Sequence, residues 1–98
     1  MPKVLYSPAA IDDLDDIWLY IAVEADVETA KGFLQRVENA CERIVRSPIG
    51  FRLRSEFGRD LRSFPFGNYI IFYLPEPYGI NIIRIVNASR DLETIFED

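Results

Sequence analysis

The sequence predicts an α+β domain, ordered β-α-α-β-β-β, in which an N-terminal helical hairpin packs on an antiparallel sheet. Three observations predict it. Two runs of β-branched and aromatic residues, 69–74 and 80–88, flank a turn containing Pro75, Pro77 and Gly79, a hairpin signature. Ahead of them, two long stretches repeat their apolar residues at helical spacing. Only a short link separates those stretches, so the two helices fold back antiparallel.

In chain order, residues 3–6 form a first strand. Ser7 can cap a helix and Pro8 suits its first position. Over residues 8–24, Ala10, Ile11, Leu14, Ile17, Trp18 and Ile21 fall on one arc, and Asp12, Asp13, Asp15 and Asp16 fall opposite. Leu19 and Tyr20 lie off the core arc, which makes them candidate contact residues. Asp26 caps a second helix over 27–46, where Ala30, Phe33, Leu34, Val37, Ala40, Cys41, Ile44 and Val45 form a stripe. Ser47-Pro48 ends it, because the residue before proline resists helical geometry. Residues 48–60 read as an arginine-bearing loop, and 61–64 as the second strand. Residues 65–68 turn the chain into the third strand, 69–74, and the fourth runs over 80–88. The hairpin runs are apolar on both faces, which places them mid-sheet, with cover on one side and a partner or groove on the other. One weak helical turn fits at 92–96.

A chain of 98 residues fits a single domain, residues 1–98. A domain this small buries roughly 60–65% of its unfolded surface, so leftover apolar surface points to a partner. No apolar run approaches the roughly 18 residues of a membrane span. The N-terminus is too short and mixed for a signal peptide, and the lone Cys41 has no internal disulfide partner, so a cytoplasmic location is expected. The net charge is −5 but unevenly spread. Residues 1–45 carry four basic and nine acidic side chains, whereas residues 46–62 carry five arginines against Glu56 and Asp60. That loop can meet phosphate or carboxylate bidentately.

No histidine is present. This removes Ser-His-Asp and Cys-His catalysis and any Cys/His zinc set, and no phosphate-cradling glycine motif exists. No metal and no cofactor are implied. Cys41 lies on the apolar stripe and reads as a core residue. The four aspartates of the first helix spread around its outer arc and do not converge, which reads as a solvated face and not a cation site. The arginine loop is open to three readings: solvated charge, contact for an acidic partner segment, or contact with a nucleic-acid backbone. Arg84, inside an apolar strand, either pairs with a carboxylate or lines a groove. Arg90 and Asp91 can pair with each other or cap the last turn.

Taken together, the residues resemble the RelE/ParE superfamily of bacterial type II toxins, and within it the ParE branch. The run from Ser7 to Ile21 is similar to the family's first helix, with its acidic-Leu and Ile-x-x-Tyr-Ile spacing. Ala30, Phe33 and Leu34 match the second helix, and Ser47-Pro48 with Gly50 its end. Leu61-Arg62, the run from Asn68 to Tyr73, the run from Ile83 to Val86, and Arg90-Asp91 match the remaining strands and their exit. The resemblance covers nearly the whole chain.

That resemblance implies a toxin of a type II toxin–antitoxin system, neutralised by a cognate antitoxin lying over its sheet and helices, in a hetero-oligomer with it. ParE-like members poison DNA gyrase; RelE-like members cut messenger RNA on the ribosome. RelE-type cleavage uses several basic groups and an aromatic hydroxyl after the last strand, where this chain has Phe96. Where many ParE-like members carry a histidine before the final Arg-Asp, this chain has Asn87. The expectation is therefore a gyrase-binding toxin that is not an enzyme, with neither membrane association nor sequence-specific nucleic-acid binding. Expected target contacts are Arg54, Arg59, Arg90 and Asp91, and expected antitoxin contacts are Leu19, Tyr20, Arg62, Tyr73 and Arg84. The alternatives are a ribosome-dependent endoribonuclease, with Arg52, Arg54, Arg62 and Arg84 on phosphate assisted by Tyr69 or Tyr73, and an antitoxin-binding module without toxicity.

Overall fold

Ser7 fastens the first strand, the first helix and the last strand at one point. Its side-chain oxygen accepts from the Ala10 N–H at 3.0 Å, capping the helix, and donates to the Ile83 carbonyl at 2.7 Å. Its backbone N–H meets the Ile82 carbonyl at 2.9 Å. The computed structural model describes residues 1–97. It contains β1 (Lys3–Tyr6), α1 (Pro8–Glu24), α2 (Val27–Arg46), β2 (Arg52–Leu53), β3 (Arg62–Phe66), β4 (Tyr69–Glu76), β5 (Gly79–Asn87) and α3 (Leu92–Ile95). The helices pack on a five-stranded sheet of order β1-β5-β4-β3-β2. The expected hairpin, β4–β5, does lie mid-sheet.

Three details correct the expectation. The sheet is mixed, because β1 runs parallel to β5 while the other pairings are antiparallel. An additional strand, β2, forms within the arginine loop and pairs Arg52 with Ser63 and Leu53 with Arg62. β3 continues past Phe64 through Pro65 and Phe66, so the turn shrinks to Gly67 and Asn68. β2 ends opposite Ser63, which leaves Pro65 at an unpaired edge, where a missing N–H is tolerated.

The two helices are held differently. α2 buries six residues, Ala30, Phe33, Val37, Ala40, Cys41 and Ile44, and all but Ala30 join Phe64, Ile71, Tyr73, Ile80, Ile82 and Ile85 of the sheet in one core. α1 fully buries only Ala10, with Leu14, Ile17 and Ile21 half-buried. Since a fully buried large apolar side chain contributes about 1.5–3 kcal/mol, burial anchors α2 more firmly than α1. Ile11, expected on the core arc, is exposed.

A bulge in β5 changes its alternation. Phe72 faces Arg84 across the ladder, but Tyr73 faces Ile82, so Ile83 is the extra residue. The helix-facing positions therefore run Ile80, Ile82, Ile85. The opposite sheet face has its own small core, Leu61, Phe72 and Val86, covered by Phe57 and by Leu92, Ile95 and Phe96 of the C-terminal turn. Phe96 stacks on Phe57 with ring centroids 5.2 Å apart and meets Phe72 edge-on at 4.7 Å.

Candidate functional site

The sequence-predicted contact residues divide into those spent inside the fold and those free on its surface. Arg84 belongs to the first group. Its guanidinium grips Asp13 of α1 through Nε at 2.7 Å and a terminal nitrogen at 2.9 Å, and Asp13 also accepts from the Ile85 N–H at 2.9 Å. These hydrogen bonds to Asp13 raise the Arg84 pKa above its ordinary value. Asp13 is thus no part of the solvated face expected for it. It sits one turn from Ala10 and Ile17, on the flank that meets β5, and satisfies an edge N–H of β5 beyond the end of β1. The legible signal was an arginine in an apolar strand, for which a carboxylate partner was one of two readings.

Arg62 and Tyr73, directly opposite in the β3–β4 ladder, both hold the loop after α2. Arg62 donates to the Ile49 carbonyl at 3.2 Å and the Phe51 carbonyl at 2.8 Å; Tyr73 donates to the Pro48 carbonyl at 2.6 Å. Tyr73 is fully buried, and burial pushes its phenol up to about 12. Arg54 is likewise buried. It bonds Glu56 at 2.9 Å and Ser63 at 3.3 Å, with its guanidinium 5.0 Å from the Phe57 ring and 5.7 Å from the Phe72 ring. The carboxyl of Glu56 is held below its usual range, first by a backbone hydrogen bond and then by Arg54.

The second group is Leu19, Tyr20, Arg59 and Arg90. Leu19 and Tyr20 are 58% and 64% exposed. Arg59 is exposed on the loop before β3. Arg90 is exposed and does not pair with Asp91; Asp91 instead caps α3, accepting from the Glu93 N–H at 3.1 Å and the Thr94 hydroxyl at 2.8 Å. Asn87 closes the exit turn by accepting from the N–H and hydroxyl of Ser89 at 2.9 and 2.7 Å.

The structure brings Tyr20 and Arg90 to one cleft of about 310 Å³ between α1 and the end of β5, with Asp16, Ile17, Tyr69 and Asn87 in its walls. Tyr69 also lines a neighbouring cavity of about 330 Å³ with Arg52, Arg54 and Ser63, on the way to the arginine loop. One expected antitoxin contact and one expected target contact thus share a cleft, which their separation of 70 positions conceals in the sequence.

This arrangement suits recognition. It offers an aromatic hydroxyl, a carboxylate, an amide and an exposed guanidinium around an open concavity. Burial raises the pKa of Tyr6 and of Cys41 as well as of Tyr73, so these groups hold their protons at neutral pH. Tyr73, Arg54, Arg62 and Arg84 are engaged elsewhere, and the Tyr69 ring rests 5.5 Å from Phe33. Among the described residues, no three His, Cys, Asp or Glu side chains converge to hold a metal ion, and no helix is long and apolar enough to cross a membrane.

The family model for the ParE toxin of type II toxin–antitoxin system, parDE, matches residues 4–92. Toxin ParE1 of Mycobacterium tuberculosis, in strains H37Rv and CDC 1551, is 26% identical over 92 residues, which span 93% of this chain and 94% of that protein. A solved chain from a chromosomal ParDE TA system of P. aeruginosa superposes with a TM-score of 0.75 at 18% identity, covering 91% of this chain and 98% of that one. The structural likeness establishes the shared fold.

Proposed function

Because this chain belongs to the ParE toxin family of type II toxin–antitoxin systems, we propose that it is a toxin that inhibits DNA gyrase by binding it in the cytoplasm. A cognate antitoxin neutralises it as a hetero-oligomer, seated on the exposed side of α1 at Leu19 and Tyr20. Arg90, at the rim of the shared cleft, and Arg59, on the loop, are the target contacts. Arg54, Arg62, Tyr73 and Arg84 support these surfaces from within the fold, and the exposed Asp91 does so by capping α3. One observation supports binding over RNA cleavage. Of the residues a ribonuclease reading places on its substrate, Arg54, Arg62, Arg84 and Tyr73 each already bond a group of the fold, which leaves the exposed Arg52 and the cleft-lining Tyr69. Moving any of the bonded residues onto RNA would leave a part-buried polar group unsatisfied.

The test is controlled expression in a bacterial host lacking the antitoxin, beside a supercoiling assay with purified gyrase. Growth arrest with filamentation, a DNA-damage response and loss of supercoiling is the expected result. Arrest with ribosome-dependent transcript cleavage and normal supercoiling would overturn it. A second reading, an antitoxin-binding module without toxicity, is favoured by the formal charge of −5. Its outcome is antitoxin binding without growth arrest.

A further inference from the structure

α1 carries an apolar ridge that no other described residue covers. Leu19 and Val23 lie one turn apart on the side pointing away from the sheet, and Val23 is 72% exposed. Tyr20 flanks them. Along the same outward stripe, toward the helix start, stand Asp12, Asp15 and Asp16, all exposed and, among the described residues, in no ion pair. Residues 4–30 contain seven acidic side chains and no lysine or arginine. Two arginines are brought to this stretch: Arg84 is consumed by Asp13, and Arg90 lines the cleft that Asp16 also lines, at no ion-pair distance from it among the described residues. The arginines of α2 do not relieve the charge: Arg36 and Arg43 lie over Phe33 and Phe64, and Arg46 lies near Glu42.

We propose that the occupant of this face is a basic amphipathic segment of the antitoxin, with apolar side chains on Leu19 and Val23 and lysines or arginines on Asp12, Asp15 and Asp16. The inference rests on the antitoxin reading above and adds the partner's chemistry to it. An apolar ridge alone would accept any hydrophobic segment. The charge decides between them, because an acidic segment would bring like charges together on a stretch where carboxylates outnumber the one exposed arginine beside it, Arg90. From Asp12 to Val23 the stripe spans about 16 Å, so a segment of some eleven helical residues covers it.

The experiment measures affinity between the purified chain and its cognate antitoxin, at low salt and at about 1 M salt, where the screening length falls to about 3 Å. The variants are the triple D12N/D15N/D16N and, separately, Leu19→Ser; circular dichroism confirms their helices. The expected result is that the triple variant binds about tenfold more weakly at low salt, and that the difference vanishes at high salt. Leu19→Ser weakens binding about tenfold at both salt levels, because burial of apolar surface is not screened. Unchanged or tighter binding by the triple variant overturns the basic-segment inference and leaves the antitoxin reading standing. A wild-type chain that forms no complex overturns both.

Discussion

Arg84 and Asp13, 71 positions apart in the chain, form a two-pronged hydrogen-bonded ion pair that fastens α1 to β5. The side chains are only 23% and 13% exposed. α1 fully buries a single residue, so this pair and the Ser7 cap supply attachment that burial supplies for α2. The same economy leaves Leu19, Tyr20 and Val23 free to meet a partner.

Asp13→Ala removes the carboxylate from a part-buried guanidinium and from the Ile85 N–H. The expected loss is about 3 kcal/mol, read as a lower urea midpoint, at the low end of values for breaking buried pairs because some water reaches the site. A midpoint shift equivalent to under about 0.5 kcal/mol, the scatter of ordinary surface substitutions, would show that the pair does not hold the helix.

Tyr73→Phe tests the loop anchor. Losing the hydroxyl leaves the Pro48 carbonyl without its donor and costs about 1 kcal/mol near neutral pH. The pH dependence has a definite sign. The Tyr73 phenol ionises at 10.0 ordinarily and at about 12 when folded. The unfolded chain therefore loses its proton first, so the stabilisation is complete below pH 10.0 and drains away as pH rises to about 12. The phenylalanine variant should show a shallower alkaline decline over that window, though not a flat one, since Tyr6 is raised in the same direction. Identical alkaline curves for the two proteins would exclude Tyr73 as a source.

Two glycines with positive φ should differ sharply on replacement by alanine. At Gly79, with φ 148°, an added Cβ would run into the Lys3 backbone, where β1 lies alongside the start of β5. Gly79→Ala is expected to cost more than about 3 kcal/mol, well beyond the roughly 1 kcal/mol of a typical substitution, and to unpair β1. At Gly67, with φ 57°, no atom lies within 4 Å, and the cost should stay near 1 kcal/mol. Thermal unfolding of both variants decides it; equal losses would contradict the close approach at Gly79.

Arg90→Ala and Arg54→Ala separate a surface arginine from an internal one. Arg90→Ala should change stability by less than about 0.5 kcal/mol while weakening growth arrest. Arg54→Ala should cost about 3 kcal/mol, through lost packing on Phe57 and Phe72 and the loss of the hydrogen bond to buried Ser63. Denaturation curves beside growth assays check both, and full toxicity of a stable Arg90→Ala variant would remove Arg90 from the target surface.

Much of the architecture was written in local pattern. The stripe of α2 from Ala30 to Ile44, the caps at Ser7 and Asp26, and the β4–β5 hairpin all depend on residues close together in the chain, where periodicity and cap chemistry act directly. Leu19 and Tyr20 were legible as outward residues for the same reason. The absence of histidine, visible in composition alone, narrowed the chemistry before any coordinate was known.

Tertiary structure decided the rest, because those outcomes depend on which distant groups meet. Arg84 alone is compatible with a groove or with a carboxylate, and only the docking of α1 shows that Asp13 takes it. The arginines of the middle loop look alike in sequence; the fold buries Arg54, ties Arg62 to the loop carbonyls, and leaves Arg59 in solvent. The bulge at Ile83 shifts the alternation of β5, so a period-two reading of that strand assigns the wrong face beyond it. The parallel direction of β1 and the cleft shared by Tyr20 and Arg90 follow from packing across most of the chain length, where no local repeat carries a signal. Sequence determined the elements and their apolar faces through short-range regularity, whereas long-range pairing of charge and edge groups determined which polar side chains remained free to recognise a partner.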